Sequence, residues 1–148
     1  MRRTDGTVCH LICIGGVFLL FHTFSSQTER RVFGGSDFIE MQFCRMPEGT
    51  VIDKIVSADI EHWLDDSLYI YGDDENRLVS QYGEIFAGGI YNNLQCGELD
   101  LFGINYYSPE QYRLIVERIR SRKPLDYAVL LNWLEKGEAL NGFYILGL

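Results

Sequence analysis

"INYYSPEQYRLIVERI", residues Ile104 to Ile119, decides how this chain is read, because a strand pattern hands over to a helix pattern at one proline. The run Leu99–Tyr107, "LDLFGINYY", is a strand by composition, with Gly103 read as a bulge. Ser108-Pro109-Glu110-Gln111 then supplies a cap, a proline at the first helical position and a glutamine that closes a capping box. Tyr112, Ile115, Val116 and Ile119 form one apolar face, with Arg113, Glu117, Arg118 and Arg120 elsewhere. This helix is expected to stop near Ser121, before Pro124. Tyr127, Leu130, Leu131 and Leu134 predict a second helix, with Gly137 as its stop. "NGFYILGL" closes the chain as an apolar strand. Strands interleaved with helices in this way predict a single small α+β domain, mainly antiparallel sheet with two or three packed helices.

Upstream, Ser36–Met46 alternates Phe38, Glu40, Gln42 and Cys44 with Ile39, Met41, Phe43 and Arg45. The second set is largely apolar, which predicts a half-buried strand. Pro47-Glu48-Gly49 ends it. Thr50 reads as a cap, and Ile52, Ile55, Val56, Ile60, Trp63 and Leu64 recur at helical spacing, so Val51–Asp66 is expected to be a helix. Leu68–Tyr71 reads as a strand, "GDDEN" as a turn and Arg77–Val79 as the returning strand of a hairpin. In Gln81–Asn93, Gly88-Gly89 marks a tight turn or a close backbone approach. The order of its glycines is neither that of a dinucleotide fingerprint nor that of a phosphate loop.

The tetrapeptide Tyr71-Gly72-Asp73-Asp74 resembles the metal-binding turn of RNA-dependent polymerases and reverse transcriptases. Two-metal chemistry needs a further carboxylate on a neighbouring strand and cationic groups for triphosphate and template. No lysine or arginine lies between Lys54 and Arg77, so the tetrapeptide is read as a turn. The spacing of an EF-hand loop is also absent. No nucleophile elbow, zinc-protease motif or CxxC pair occurs, so no catalytic residue, cofactor or metal site is expected. Cys9 and Cys13 flank His10 at CxxxC spacing, but no second ligand pair follows.

The net charge of −8 over 148 residues is unevenly spread. Four arginines against Asp5 and Glu29 leave residues 1–31 at +2, so the remainder carries −10. A body this acidic repels a nucleic-acid backbone and attracts a basic partner. Residues 1–31 read as an apolar N-terminal leader: Arg2-Arg3, an apolar run from Val8 to Phe24, then polar residues with Thr23 and Ser25 as small positions before a cut. A structural hairpin turning at Gly15-Gly16 and a plain upstream extension are the competing readings. The globular domain is expected over 32–148. A secretory leader implies a periplasmic or secreted protein, and its absence a cytoplasmic one; membrane contact is expected only through an uncleaved leader. Cys44 and Cys96 are then either one disulfide or reduced, buried thiols.

Asp59, Glu61, Asp65, Asp66, Asp73, Asp74 and Glu75 fall within 17 residues, with His62 the one nearby group able to become a cation. The plain reading is a solvated helix face and turn. The functional reading is a docking surface for a basic protein, with Trp63 and Tyr71 as aromatic anchors. That acidic surface, the α+β pattern and the run "INYYSPEQYRLIVERI…PLDYAVLLNWLEK…GFYILGL" resemble small bacterial immunity proteins, the partners of secreted or contact-dependent toxins. The resemblance is one of general style over roughly residues 36–148, and it carries over no functional residue. It implies stoichiometric binding of one toxin domain. The alternative is a secreted or periplasmic binding module with Tyr69, Tyr71, Tyr82, Phe86, Tyr91, Tyr106 and Tyr107 lining a groove.

Overall fold

The computed structural model describes the backbone of residues 13–14 and 17–18 and all of residues 19–148. Two short strands, β1 (Cys13–Ile14) and β2 (Val17–Phe18), pair antiparallel, with Cys13 opposite Phe18 and Ile14 opposite Val17. Gly15-Gly16 between them, and the basic start, Cys9 and His10, lie outside the described residues.

Among the described residues the main sheet has six strands: β3 (Phe38–Phe43), β4 (Leu68–Tyr71), β5 (Gly89–Ile90), β6 (Cys96–Gly97), β7 (Ile104–Tyr107) and β8 (Phe143–Leu146). Their spatial order is β4-β3-β8-β7-β5-β6, and every pairing is antiparallel. Among the described residues five helices accompany it: α1 (Gln27–Gly34), α2 (Ile52–Ile55), α3 (Glu75–Tyr82), α4 (Pro109–Arg122) and α5 (Tyr127–Glu135). The chain therefore forms an α+β domain built on an antiparallel sheet. Among the described residues no helix is long and apolar enough to cross a membrane.

Cross-strand register assigns side chains to two faces, because opposed residues of antiparallel strands point the same way. One face carries Ile39, Met41, Phe43, Leu68, Ile70, Tyr107, Phe143 and Ile145. These pack with Leu78, Tyr82, Ile85 and Phe86 and with the apolar sides of α4 and α5 into the larger core. The other face carries Phe38, Glu40, Gln42, Tyr69, Tyr71, Tyr106, Tyr144 and Leu146. There Tyr106, Tyr144 and Leu146 join Cys44, Ile55 and Val56 in a second core. So β3 is buried along its whole length, and the expected half-buried strand is corrected: both its faces are covered.

The second half follows its sequence signals closely. Ser108 and Gln111 form the capping box on α4, and Tyr112 seals the two helices by donating to the Leu134 carbonyl at 2.8 Å. Helix α5 ends at Glu135 with Lys136 as its cap, so Gly137 follows directly after the stop, as expected, and it also has a packing role. A Cβ there would collide with the Phe43 ring, which stacks on Trp133 at 4.0 Å. The strand expected over Leu99–Tyr107 shortens to β7, because Asn105 folds the preceding loop back on itself: its Oδ1 accepts from the Asp100 amide and its Nδ2 donates to the Asp100 carbonyl.

Three further expectations in the first half are corrected. Only Ile52–Ile55 of the expected helix Val51–Asp66 is helical, and Trp63 has φ +67°. The hairpin at "YGDDEN" is instead a strand that turns through a 3-10 segment, Gly72–Asp74, directly into α3. Leu78, Tyr82, Ile85 and Phe86 had the i, i+4, i+7, i+8 spacing of that buried face. The boundary expected between residues 31 and 32 falls inside α1, and upstream of it Leu20 and Phe21 lie in the larger core. The signal for α1 was Ser26-Gln27-Thr28-Glu29: Ser26 Oγ accepts from the Glu29 amide, and Glu29 reaches back to the Ser25 amide at 2.8 Å.

Candidate docking loop

The segment 57–66 has no regular structure, yet its backbone is firmly tied. The reason lies beneath it. Glu40 and Gln42 point from β3 into the second face, 1% and 3% exposed. A buried carboxylate and a buried amide must find partners or destabilise the fold by several kcal/mol, on the order of the cost of an unpaired buried polar group. The Glu40 carboxylate accepts from the amides of Trp63 (2.9 Å) and Leu64 (3.0 Å), from the Ser67 hydroxyl (2.7 Å) and from Gln42 Nε2 (2.9 Å). Gln42 Nε2 also donates to the Glu61 carbonyl at 2.6 Å. A helix would consume those same amides and that carbonyl internally. The buried strand therefore takes the loop's backbone groups, and the helical periodicity of the side chains loses.

This arrangement decides where the acidic residues go. Asp59, Glu61, Asp65 and Asp66 are exposed on the loop. Asp73 is exposed and Asp74 and Glu75 are half-buried beyond the far end of β4. An extended strand rises about 3.3 Å per residue, so the two groups stand roughly 15–20 Å apart. That exceeds the Debye length of about 8 Å at physiological salt, and the seven acids act as two patches.

Several of these acids have partners: one cation distant in sequence, one local cation and one neutral amide. Arg45 pairs with Asp66, Arg77 with Asp74 at 3.3 Å, and Gln27 Nε2 donates to Asp65 at 3.1 Å. Trp63 is half-buried, stacked on Tyr69, with the Arg30 guanidinium 4.0 Å from its ring centroid. Arg30 is itself buried, donating to Gln27 at 2.7 Å and to the Gly35 carbonyl. Tyr71 packs against Phe33 and Phe38. Burial, and after it the carboxylates of Asp73, Asp37 and Asp74, push its hydroxyl up from its ordinary value. His62 Nδ1 lies 3.7 Å from Glu40.

Of the rings expected to line a groove, Tyr69, Tyr82, Phe86, Tyr106 and Tyr107 are buried, and Tyr71 and Tyr91 are half-buried. Cys44 is a buried thiol 3.5 Å from the Tyr144 hydroxyl, and Cys96 is exposed on β6. Four inter-strand steps of about 4.8 Å separate β3 from β6, well beyond disulfide reach, so of the two readings the disulfide is excluded and the thiols are separate, with Cys44 buried as expected and Cys96 exposed. Among the described residues no group of three or more His, Cys, Asp or Glu side chains is arranged to hold a metal ion. Comparison of this chain with protein-family models, characterised proteins and solved structures finds no match.

Proposed function

We propose that this protein is an immunity-type inhibitor that binds a basic protein domain, a bacterial toxin, through its 57–66 loop. The observation that carries the reading is the anchoring of that loop. Its backbone is fixed on buried Glu40 and Gln42 while Asp59, Glu61, Asp65 and Asp66 face solvent. A loop held in shape before contact loses little conformational freedom on binding. Carboxylates presented this way speed encounter with a positive cleft and orient it. Asp73, Asp74 and Glu75 form a second patch that steers from the far end of β4. Trp63 is held by Tyr69 and the Arg30 guanidinium, so its half-exposed rim is a rigid contact that needs no reordering on binding.

The experiment takes a basic toxin domain encoded beside this gene and measures association across salt concentrations. Reversing Asp59, Glu61, Asp65 and Asp66 to lysine is expected to slow association at least tenfold at low salt, with the gap closing as salt rises. Cells making the wild-type protein are expected to survive the toxin. Unchanged association in the reversed variant, or no protection, refutes the proposal.

A further inference from the structure

Residues 20–34 run along the outer edge of β4 and finish against the acidic loop. At the start, the amides of Leu20 and Phe21 both donate to Asp126 Oδ2 at 3.0 Å. Their side chains enter the larger core, where the Phe21 ring meets Tyr82 edge-on at 5.3 Å. Asp126 stands just ahead of α5 at φ +59°, a left-handed position that an aspartate tolerates better than most residues. His22 and Tyr69 exchange two backbone bonds of 2.8 Å, so the segment covers the exposed side of β4. Phe24 then packs on Phe38 and Tyr69. Three residues later α1 begins, and Gln27 and Arg30 grip Asp65 and Trp63 of the loop.

We infer that residues 20–34 are a clasp, pinned at one end by Asp126 and closed at the other on Trp63 and Asp65, which keeps the acidic loop in shape. A break in the exposed stretch around Thr23–Ser26 loosens the loop, and a leader cut at Thr23 or Ser25 falls inside the clasp. The inference concerns the loop's order and stands whether or not the loop has a partner.

Hydrogen exchange on the full chain tests it, read at Leu20 and Phe21, at Trp63 and Leu64, and at Ile115 and Ile119 of α4. Two bonds to a charged acceptor are lost in Asp126→Ala, so exchange at Leu20 and Phe21 is expected to rise about tenfold or more. Exchange at Trp63 and Leu64 is expected to rise at least about threefold, with Ile115 and Ile119 unchanged. Faster exchange at Leu20 and Phe21 with Trp63 and Leu64 unaltered overturns the clasp. If Asp126→Ala speeds exchange in α4 as well, a specific protease site inserted between Phe24 and Ser25 decides. The folded chain is cut, and Trp63 and Leu64 are compared with the uncut protein, relative to Ile115 and Ile119. Faster exchange after cutting supports the clasp, and identical rates overturn it.

Discussion

Glu40→Gln is the sharpest perturbation of the loop, because it keeps the side chain's size and removes only its charge and one acceptor. Four donors converge on the Glu40 carboxylate: Oε1 takes the Trp63 amide, and Oε2 takes the Leu64 amide, the Ser67 hydroxyl and Gln42 Nε2. A glutamine oxygen in the second position keeps three of these as neutral bonds. Its NH2 group then faces the Trp63 N–H, donor against donor, in a region closed to water. Bonds to a charged acceptor are worth roughly 1.5–3 kcal/mol and neutral ones about 1 kcal/mol, while an orphaned buried donor costs about 1–3 kcal/mol. Removing a buried charge recovers part of its desolvation penalty, which sets the lower end. The expected loss is about 3 kcal/mol, leaving a folded domain whose Tm falls by roughly 6–12 °C. Urea unfolding with an unchanged slope reads the energy, and hydrogen exchange at Trp63 and Leu64 reads the loop. A loss below about 0.5 kcal/mol, with protected amides at both positions, refutes the account of why this segment is not a helix.

Two further outcomes test the cores. Gly137→Ala drives a methyl into a Phe43 ring that Trp133 holds from its other side, so it is expected to cost about 1–3 kcal/mol in chemical denaturation; equal stability would show that the ring gives way. Burial, then Cys44, pushes the Tyr106 hydroxyl up to about 12, and burial holds Tyr82, Tyr107 and Tyr144 well above their ordinary value. These groups keep their protons more tightly folded than unfolded, so their contribution is complete below pH 10, the value of the unfolded groups, and drains away as pH rises through the folded values. Tyrosinate absorbance is expected to rise in two stages, the second coinciding with loss of circular dichroism. A single stage centred near 10 with structure intact would contradict the burial.

How the chain reads depends on how local each signal is. Ser108-Pro109-Glu110-Gln111 caps α4 through bonds within four residues, and Tyr127 to Leu134 repeats at helical spacing, so the second half was legible without any tertiary information. The same kind of local signal stood at Ser26–Glu29 and at Leu78–Phe86, hidden by reading an apolar leader and a hairpin over them. The acidic loop is different in kind. Ile52, Ile55, Val56, Ile60, Trp63 and Leu64 satisfy a helix as well as any run in the chain. What defeats the helix is a carboxylate 23 and 24 residues away in sequence, brought underneath by β3 and needing the Trp63 and Leu64 amides. The acidic residues themselves were visible from composition. Their division into two patches by β4, and the guanidiniums of Arg45 and Arg30 and the amide of Gln27 brought near them, follow from strand geometry and long-range packing. Propensity acts over one turn of helix, at a fraction of a kcal/mol per residue; an unsatisfied buried carboxylate costs several kcal/mol, so tertiary structure wins at that point.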